Sequence, residues 1–372
     1  MEPLFKLWKT WTDQSFTTSL DTLVRARKLS EVRNGPPPGV AQTPSDVAYT
    51  ENKLRLLRYR PLKNIQSFDQ RLQIAAQDKY STPVLLVPSI INRFYILDLK
   101  PGRSVAEYLI HKGYDVWMLD WGNPGPEDRF VTFDETIDGH LLECVRVVLE
   151  ETGQEQLSLL GYCIGGVLAV LFAALHGKLV RNLITLTTPI NFHDEGLLSL
   201  WTRKGAFPVD LLVDTYGNMP AQLLQNSFKM LSPTSALNNA WTLWERLDEP
   251  ERLEDFRALN LWVEDNVSVA GETYRKFVTD CYQDNLLMQN RLVINGRVAD
   301  LRQITAPLFN VVAERDHIAP CGSASVLNEL VSSSDKTLLQ LKGGHVGAIV
   351  GREAETEFWP NLDRWLASRS AI

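Results

Sequence analysis

The segment Leu157-Ser158-Leu159-Leu160-Gly161-Tyr162-Cys163-Ile164-Gly165-Gly166 sets a single cysteine between an apolar run and a second apolar stretch that opens on two glycines. Strand, tight turn and helix start are expected from it, with Cys163 at the apex. Such a turn strains the backbone of its apex residue, and the flanking glycines remove the Cβ atoms that would strike the neighbouring strand and helix. The sulfur then stands above a sheet beside the first N–H groups of a helix, where the thiolate is favoured and the ordinary thiol pKa of about 8.5 is lowered. A thiolate in that position is a nucleophile for acyl transfer. A free cysteine elsewhere is more often a small buried hydrophobe, so the chemical reading rests on the strand-turn-helix setting.

An elbow of this kind, G-x-S-x-G with cysteine in the serine position, needs a base and an orienting acid, in the chain order nucleophile, acid, histidine. Of six histidines, His345 lies in Gly343-Gly344-His345-Val346-Gly347, where glycines would let the imidazole reach over a sheet end. Asp316 lies in Glu314-Arg315-Asp316-His317-Ile318-Ala319-Pro320, 153 residues after Cys163 and 29 before His345. His345 is expected to take the thiol proton on one ring nitrogen while Asp316 holds the other N–H. His317 is either a second base or a packing neighbour. Oxyanion donors are expected from the backbone N–H of Ile164 and from the loop Ser89-Ile90-Ile91-Asn92, at Ile90 or Ile91. Asp120, at the end of another strand, is an alternative acid, though such an aspartate more often stabilises its own loop.

The elements that must carry these residues are short apolar strands alternating with helices: Leu54–Tyr59, Val84–Val87, 105–112 helical, Asp115–Asp120, 133–152 helical, Leu157–Leu160, 165–176 helical and Leu183–Leu186. That rhythm indicates βαβ units and a mostly parallel sheet buried on both faces. It breaks from 191 to 300, a mostly helical stretch whose tryptophans (Trp201, Trp241, Trp244, Trp262) read as its core. It resumes at Pro307–Val312 and Thr337–Leu341, before a last helix over 354–368. The expected organisation is therefore an N-terminal helical segment and Pro-rich linker (1–41), an α/β-hydrolase core (42–190 and 301–372) and a helical cap insertion (191–300).

The chain has 372 residues, 44% apolar and 22% charged, an ordinary globular composition. Its formal charge of −7 argues against nucleic acid as the main ligand. Four scattered cysteines make neither a disulfide framework nor a CxxC metal site. The longest apolar run, Val167–Leu175, is too short to span a bilayer, and no secretory signal is seen. A cytoplasmic protein without a transmembrane segment is expected. The aromatic cluster Leu4 to Trp11 either docks a partner or packs on the core.

Gly161-Tyr162-Cys163-Ile164-Gly165-Gly166 together with Asp316-His317 and Gly344-His345 resembles the polyhydroxyalkanoate synthases. So do Ile91-Asn92-Arg93-Phe94-Tyr95-Ile96-Leu97-Asp98-Leu99, Asp120-Trp121-Gly122, Thr188-Pro189 and Val213-Asp214-Thr215-Tyr216-Gly217-Asn218. Phe94 departs from the family, where proline or tyrosine is more usual. The length resembles the short catalytic subunit of the two-subunit types (class III or IV) and so implies a second synthase subunit, with a homo-oligomer also open. The resemblance implies polymerisation of (R)-3-hydroxyacyl-coenzyme A, foremost 3-hydroxybutyryl-coenzyme A, with coenzyme A released, the growing polyester held on Cys163, and association with cytoplasmic polyester granules. It implies no metal or other cofactor, because exchange of thioester for thioester is balanced and thioester to ester runs downhill. Two other readings are a thiol-dependent hydrolase of small esters or lactones and a catalytically silent granule protein.

Overall fold

The computed structural model describes residues 23–30, 35–61, 80–231, 243–244 and 247–370. The Leu4 to Trp11 cluster and Trp241 lie outside them. Two compact units are separable, Met1–Gly39 with Ser232–Leu261, and Val40–Leu231 with Trp262–Ile372. In the first, residues 23–30 are helical, and Arg25 pairs with Asp248 (3.1 Å) and donates to the Trp244 carbonyl (2.9 Å).

The second unit is built on eight strands: β1 (Ser45–Glu51), β2 (Leu54–Tyr59), β3 (Tyr80–Val87), β4 (Tyr114–Asp120), β5 (Leu157–Tyr162), β6 (Val180–Leu186), β7 (Leu308–Ala313) and β8 (Lys336–Leu341). Their order in the sheet is β1-β2-β4-β3-β5-β6-β7-β8. Every pairing from β4 to β8 is parallel, and β1 and β2 are antiparallel at one edge. Val84 to Val87 and all of β5 and β7 are buried, as strands covered on both faces must be. β1 was not expected from the pattern. Its sequence SDVAYTE is largely exposed, and its link to β2 turns at Asn52 (φ 52°) without a glycine.

Helix α1 (Ile164–His176) is apolar all round and buried from Ile164 to Ala173, the signature of a helix packed on the core from every side. The helix expected over 133–152 is continuous but passes through a π-helical stretch at Thr136–Leu141. In the region expected to be helical, Leu197–Thr202, Val209–Tyr216, Ala221–Leu231 and Gly271–Phe277 are helices. Trp262 is buried at 4% exposure, but Trp201 at 37% is not core, contrary to expectation. Leu197, Leu200 and Trp201 form one exposed face of their helix, while Ser199 and Thr202 take the buried side and donate to the Phe192 and Leu198 carbonyls.

A buried carboxylate fastens the strand system to the segment before β1. Asp98 accepts from Thr43 Oγ1 (2.5 Å), Ser104 Oγ (2.7 Å) and Tyr59 OH (3.2 Å), and its carbonyl accepts from Ala41 N–H. Burial raises its pKa to about 6 although all three hydroxyls oppose the shift.

Candidate active site

The parallel register brings several strand ends level. Val87 is partnered with Gly161, Gly161 with Thr185, Leu186 with Val311 and Ala313 with Leu341. Cys163, Asp316 and His345 all fall just beyond these ends, on one edge of the sheet. Crevices at the carboxyl ends of parallel strands are where such folds hold ligands.

Cys163 has φ 55° and ψ −123°, a region that costs a non-glycine residue about 1–3 kcal/mol. Its N–H donates to Leu186 O (3.0 Å), and its carbonyl accepts from the N–H groups of Gly166 (3.0 Å) and Val167 (3.3 Å), so the end of β6 and the start of α1 together enforce the bend. The three glycines are required by contact. A Cβ on Gly161 would meet the Gly165–Gly166 backbone, one on Gly165 the Val87 and Pro88 carbonyls, and one on Gly166 the side chain of Thr188. The approach of Gly165 also sets the N-terminus of α1 against the end of β3, next to the loop carrying Ile90 and Ile91. In that loop Ser89 Oγ accepts from Ile91 N–H (3.4 Å). The loop is clamped from above: Arg93 Nε and Tyr95 OH both donate to Asp265 (3.0 and 2.9 Å), and Asn92 pairs with Asn266 (2.6 Å).

Asp316 is fully enclosed. Its Oδ1 accepts from Ile318 N–H (2.8 Å) and Ala319 N–H (2.9 Å), and its Oδ2 lies 2.7 Å from His345 Nδ1. The two loops are held side by side because Glu314 N–H donates to Leu341 O (2.9 Å) and Arg315 N–H to Gly343 O (3.1 Å), extending the ladder past the strands. A Cβ on Gly344 would sit 3.2 Å from Arg315 O, so the glycine permits this approach. His345 is 8% exposed, its ring 5.3 Å from that of Tyr162. Its Nε2 is buried without a hydrogen-bond partner among the protein groups. Burial works against the imidazolium, yet the Asp316 carboxylate and then the Cys163 sulfur outweigh it and push the ring pKa up to about 10. The sulfur thus faces the ring both as a charge and as a hydrogen-bonding neighbour, and Nε2 has no other protein partner.

The remaining candidates divide clearly. His317 points outward and is exposed. Asp120 is committed to its own surroundings, paired with Arg55 (2.5 Å) and accepting from Gly122 N–H (3.0 Å). Cys144 and Cys281 are buried, and burial pushes both thiols upward, away from the reactive form. Among the described residues no group of three or more His, Cys, Asp or Glu could hold a metal, and no helix is long and apolar enough to cross a membrane. One residue escaped the sequence reading: the Tyr282 phenol is held well above its ordinary pKa by burial and then by the nearby Cys163 sulfur. Nothing in the pattern of residues around Tyr282 marks it.

Two family models match the chain: alpha/beta hydrolase fold over residues 82–351, and Poly-beta-hydroxybutyrate polymerase (PhaC) N-terminus over residues 37–109. The chain is 36% identical to the poly(3-hydroxyalkanoate) polymerase subunit PhaC of Allochromatium vinosum, covering 88% of this chain and 89% of that one. It is 35% identical to the PhaC subunit of Haloferax mediterranei, covering 93% and 67%. Among solved structures, a Sulfolobus solfataricus protein assigned as a lipase superposes with a TM-score of 0.54 at 15% identity, over 90% of this chain and 99% of that one. At that identity the likeness speaks for the fold.

Proposed function

Because the chain belongs to the poly(3-hydroxyalkanoate) polymerase family, acyltransferases on the α/β-hydrolase fold, we propose that it polymerises (R)-3-hydroxyacyl-coenzyme A with the growing chain carried as a thioester on Cys163. The supporting observation is the array in which Asp316 Oδ2 meets His345 Nδ1 at 2.7 Å while the unpartnered Nε2 stands in the field of the Cys163 sulfur. In the first step the sulfur, its proton passed to Nε2, attacks the substrate thioester carbonyl. Coenzyme A leaves and takes that proton. In the second, the hydroxyl of a further 3-hydroxyacyl unit or of the chain end attacks the enzyme thioester, loses its proton to His345 and frees the sulfur. Asp316 fixes the ring tautomer and stabilises the imidazolium. The backbone N–H groups of Ile164 and Ile90 would hold the oxyanion. Ile90 is preferred over Ile91, whose N–H is turned back to Ser89. His317, exposed beside the site, is at most an accessory base.

Each step exchanges acyl groups between sulfur and sulfur or sulfur and oxygen, and its electrons balance without metal or redox cofactor. The segment 191–300 remains the proposed cap that keeps water from the thioester, with 1–41 a separate N-terminal segment. A second synthase subunit and attachment to cytoplasmic polyester granules are proposed on the likeness to the PhaC subunits. The test is incubation with 3-hydroxybutyryl-coenzyme A. Free coenzyme A plus insoluble polyester, both lost in Cys163→Ala, supports the reading. Soluble 3-hydroxybutyrate would instead indicate the thiol-dependent hydrolase, and full polymer accumulation by Cys163→Ala would leave only a silent granule protein for this chain.

A further inference from the structure

The loop after β3 is held at both ends. At its start Trp121 Nε1 donates to Pro88 O (2.9 Å), and Gly165 of α1 lies so close to the Val87 and Pro88 carbonyls that no Cβ would fit. At its far end the loop is tied to residues 262–266, a stretch some 170 positions further along that belongs to the proposed cap. Asn92 forms an antiparallel bridge with Asn266 and donates to its side-chain oxygen (2.6 Å). Trp262 Nε1 donates to Arg93 O (2.9 Å). The two oxygens of Asp265 accept separately, Oδ1 from Arg93 Nε (3.0 Å) and Oδ2 from Tyr95 OH (2.9 Å). Only Ile91 separates the tied stretch from Ile90, and two residues of chain span about 7 Å at most, so a shift of the stretch is felt at the Ile90 N–H.

The side chains of Arg93 and Asp265 are 30% and 37% exposed, and an ion pair so open to water adds little to folding. What it supplies is direction. Tyr95 and Trp262 are buried on either side of it, so the carboxylate holds the loop from a fixed place. Burial and then the Asp265 carboxylate keep the Tyr95 phenol above its ordinary pKa, and it stays a donor. Oxyanion stabilisation is the step most sensitive to such placement. Removing one donor costs about 10²–10³-fold in kcat, and a displacement of 1 Å about 10²-fold. A contact that does little for stability yet fixes the backbone next to an oxyanion donor is placed to serve the reaction.

We propose that Asp265 is a positioning residue for acyl transfer: seated on Arg93 and Tyr95, it makes residues 262–266 hold the Ile90 N–H where the oxyanion forms. This rests on Cys163 being the acyl carrier and Ile90 an oxyanion donor. The test compares two reactions of one thiol. Acylation by 3-hydroxybutyryl-coenzyme A passes through an oxyanion, whereas alkylation by iodoacetamide, in which the sulfur displaces iodide, does not. In Asp265→Ala, acylation read by rapid-quench mass spectrometry should fall about ten-fold or more, while alkylation stays within about two-fold of wild type. Asp265→Asn keeps an acceptor for Arg93 and offers its NH₂ to the Tyr95 oxygen, so it should acylate within about three-fold of wild type. Should Asp265→Ala not fold, Tyr95→Phe combined with Arg93→Leu opens the same contact from the other side and should give the same split. Acylation by the opened variant within about three-fold of wild type, or alkylation falling in step with acylation, would overturn the proposal. Wild-type protein whose Cys163 alkylates yet takes no acyl group would sink the reading of Cys163 itself, and the role of Asp265 with it.

Discussion

Asp316→Asn preserves the shape of the site and changes one proton, which makes it a sharp probe of the acyl-transfer array. The aspartate accepts three hydrogen bonds, two on Oδ1 from Ile318 and Ala319 N–H and one on Oδ2 from His345 Nδ1. Asparagine has one accepting oxygen and one donating nitrogen. Keeping the oxygen toward the two backbone donors preserves two bonds where the flipped amide keeps one, and each buried donor left unpaired costs about 1–3 kcal/mol. The NH₂ group therefore faces Nδ1, which must become the acceptor. The ring proton moves to Nε2, where it blocks receipt of the thiol proton, and the imidazolium would present a donor to a donor. The largest influence raising the ring pKa also disappears. Loss of the tautomer-fixing carboxylate in a Ser-His-Asp site costs about 10⁴-fold in kcat, or about 5 kcal/mol, and a similar loss of Cys163 acylation is expected. Rapid-quench mass spectrometry of the acyl-enzyme formed from 3-hydroxybutyryl-coenzyme A reads this directly. Acylation within about ten-fold of wild type, in a variant with an unchanged melting temperature, would refute the argument.

Three other outcomes are expected. A Cβ at position 166 would lie 2.7 Å from Thr188 Cγ2 and 2.8 Å from Thr188 Cβ. Gly166→Ala should therefore cost about 1–3 kcal/mol and slow acylation about 10²-fold by displacing the elbow, and adding Thr188→Gly should recover part of both in melts and in burst kinetics. The His345 imidazolium is favoured in the fold, with its pKa raised from 6.5 to about 10, so the stability it contributes is complete below pH ~6.5 and is lost as pH rises through about 10. The urea midpoints of wild type and His345→Gln should accordingly differ most near pH 6 and converge above pH 10. At Asp98 the sign is the same but the window is lower, because burial raises the carboxyl to about 6 and charging it costs stability as pH climbs from its ordinary value through about 6. Asp98→Asn can still accept from Thr43 and Ser104 and donate to Tyr59 OH, so its melting temperature at pH 7.5 should equal or exceed that of wild type. Asp98→Ala, which strands three hydroxyls, should melt well below it.

The local sequence determined what depends on neighbours in the chain. Apolar runs such as Val84–Val87 and Leu157–Leu160 could only be strands buried on both faces, and Gly161, Gly165 and Gly166 around Cys163 could only be a bend too tight for side chains. The order of nucleophile, acid and histidine along the chain was likewise readable, since each follows a strand. Tertiary structure decided what depends on residues far apart. Whether Asp316 meets His345 is settled by the ladder that continues past β7 and β8, and the burial of the Tyr282 phenol within the field of the sulfur comes from packing that no periodicity encodes. β1 escaped notice because an exposed edge strand needs no apolar pattern, and Trp201 was misassigned to the core because burial is set by which helix face finds a neighbour.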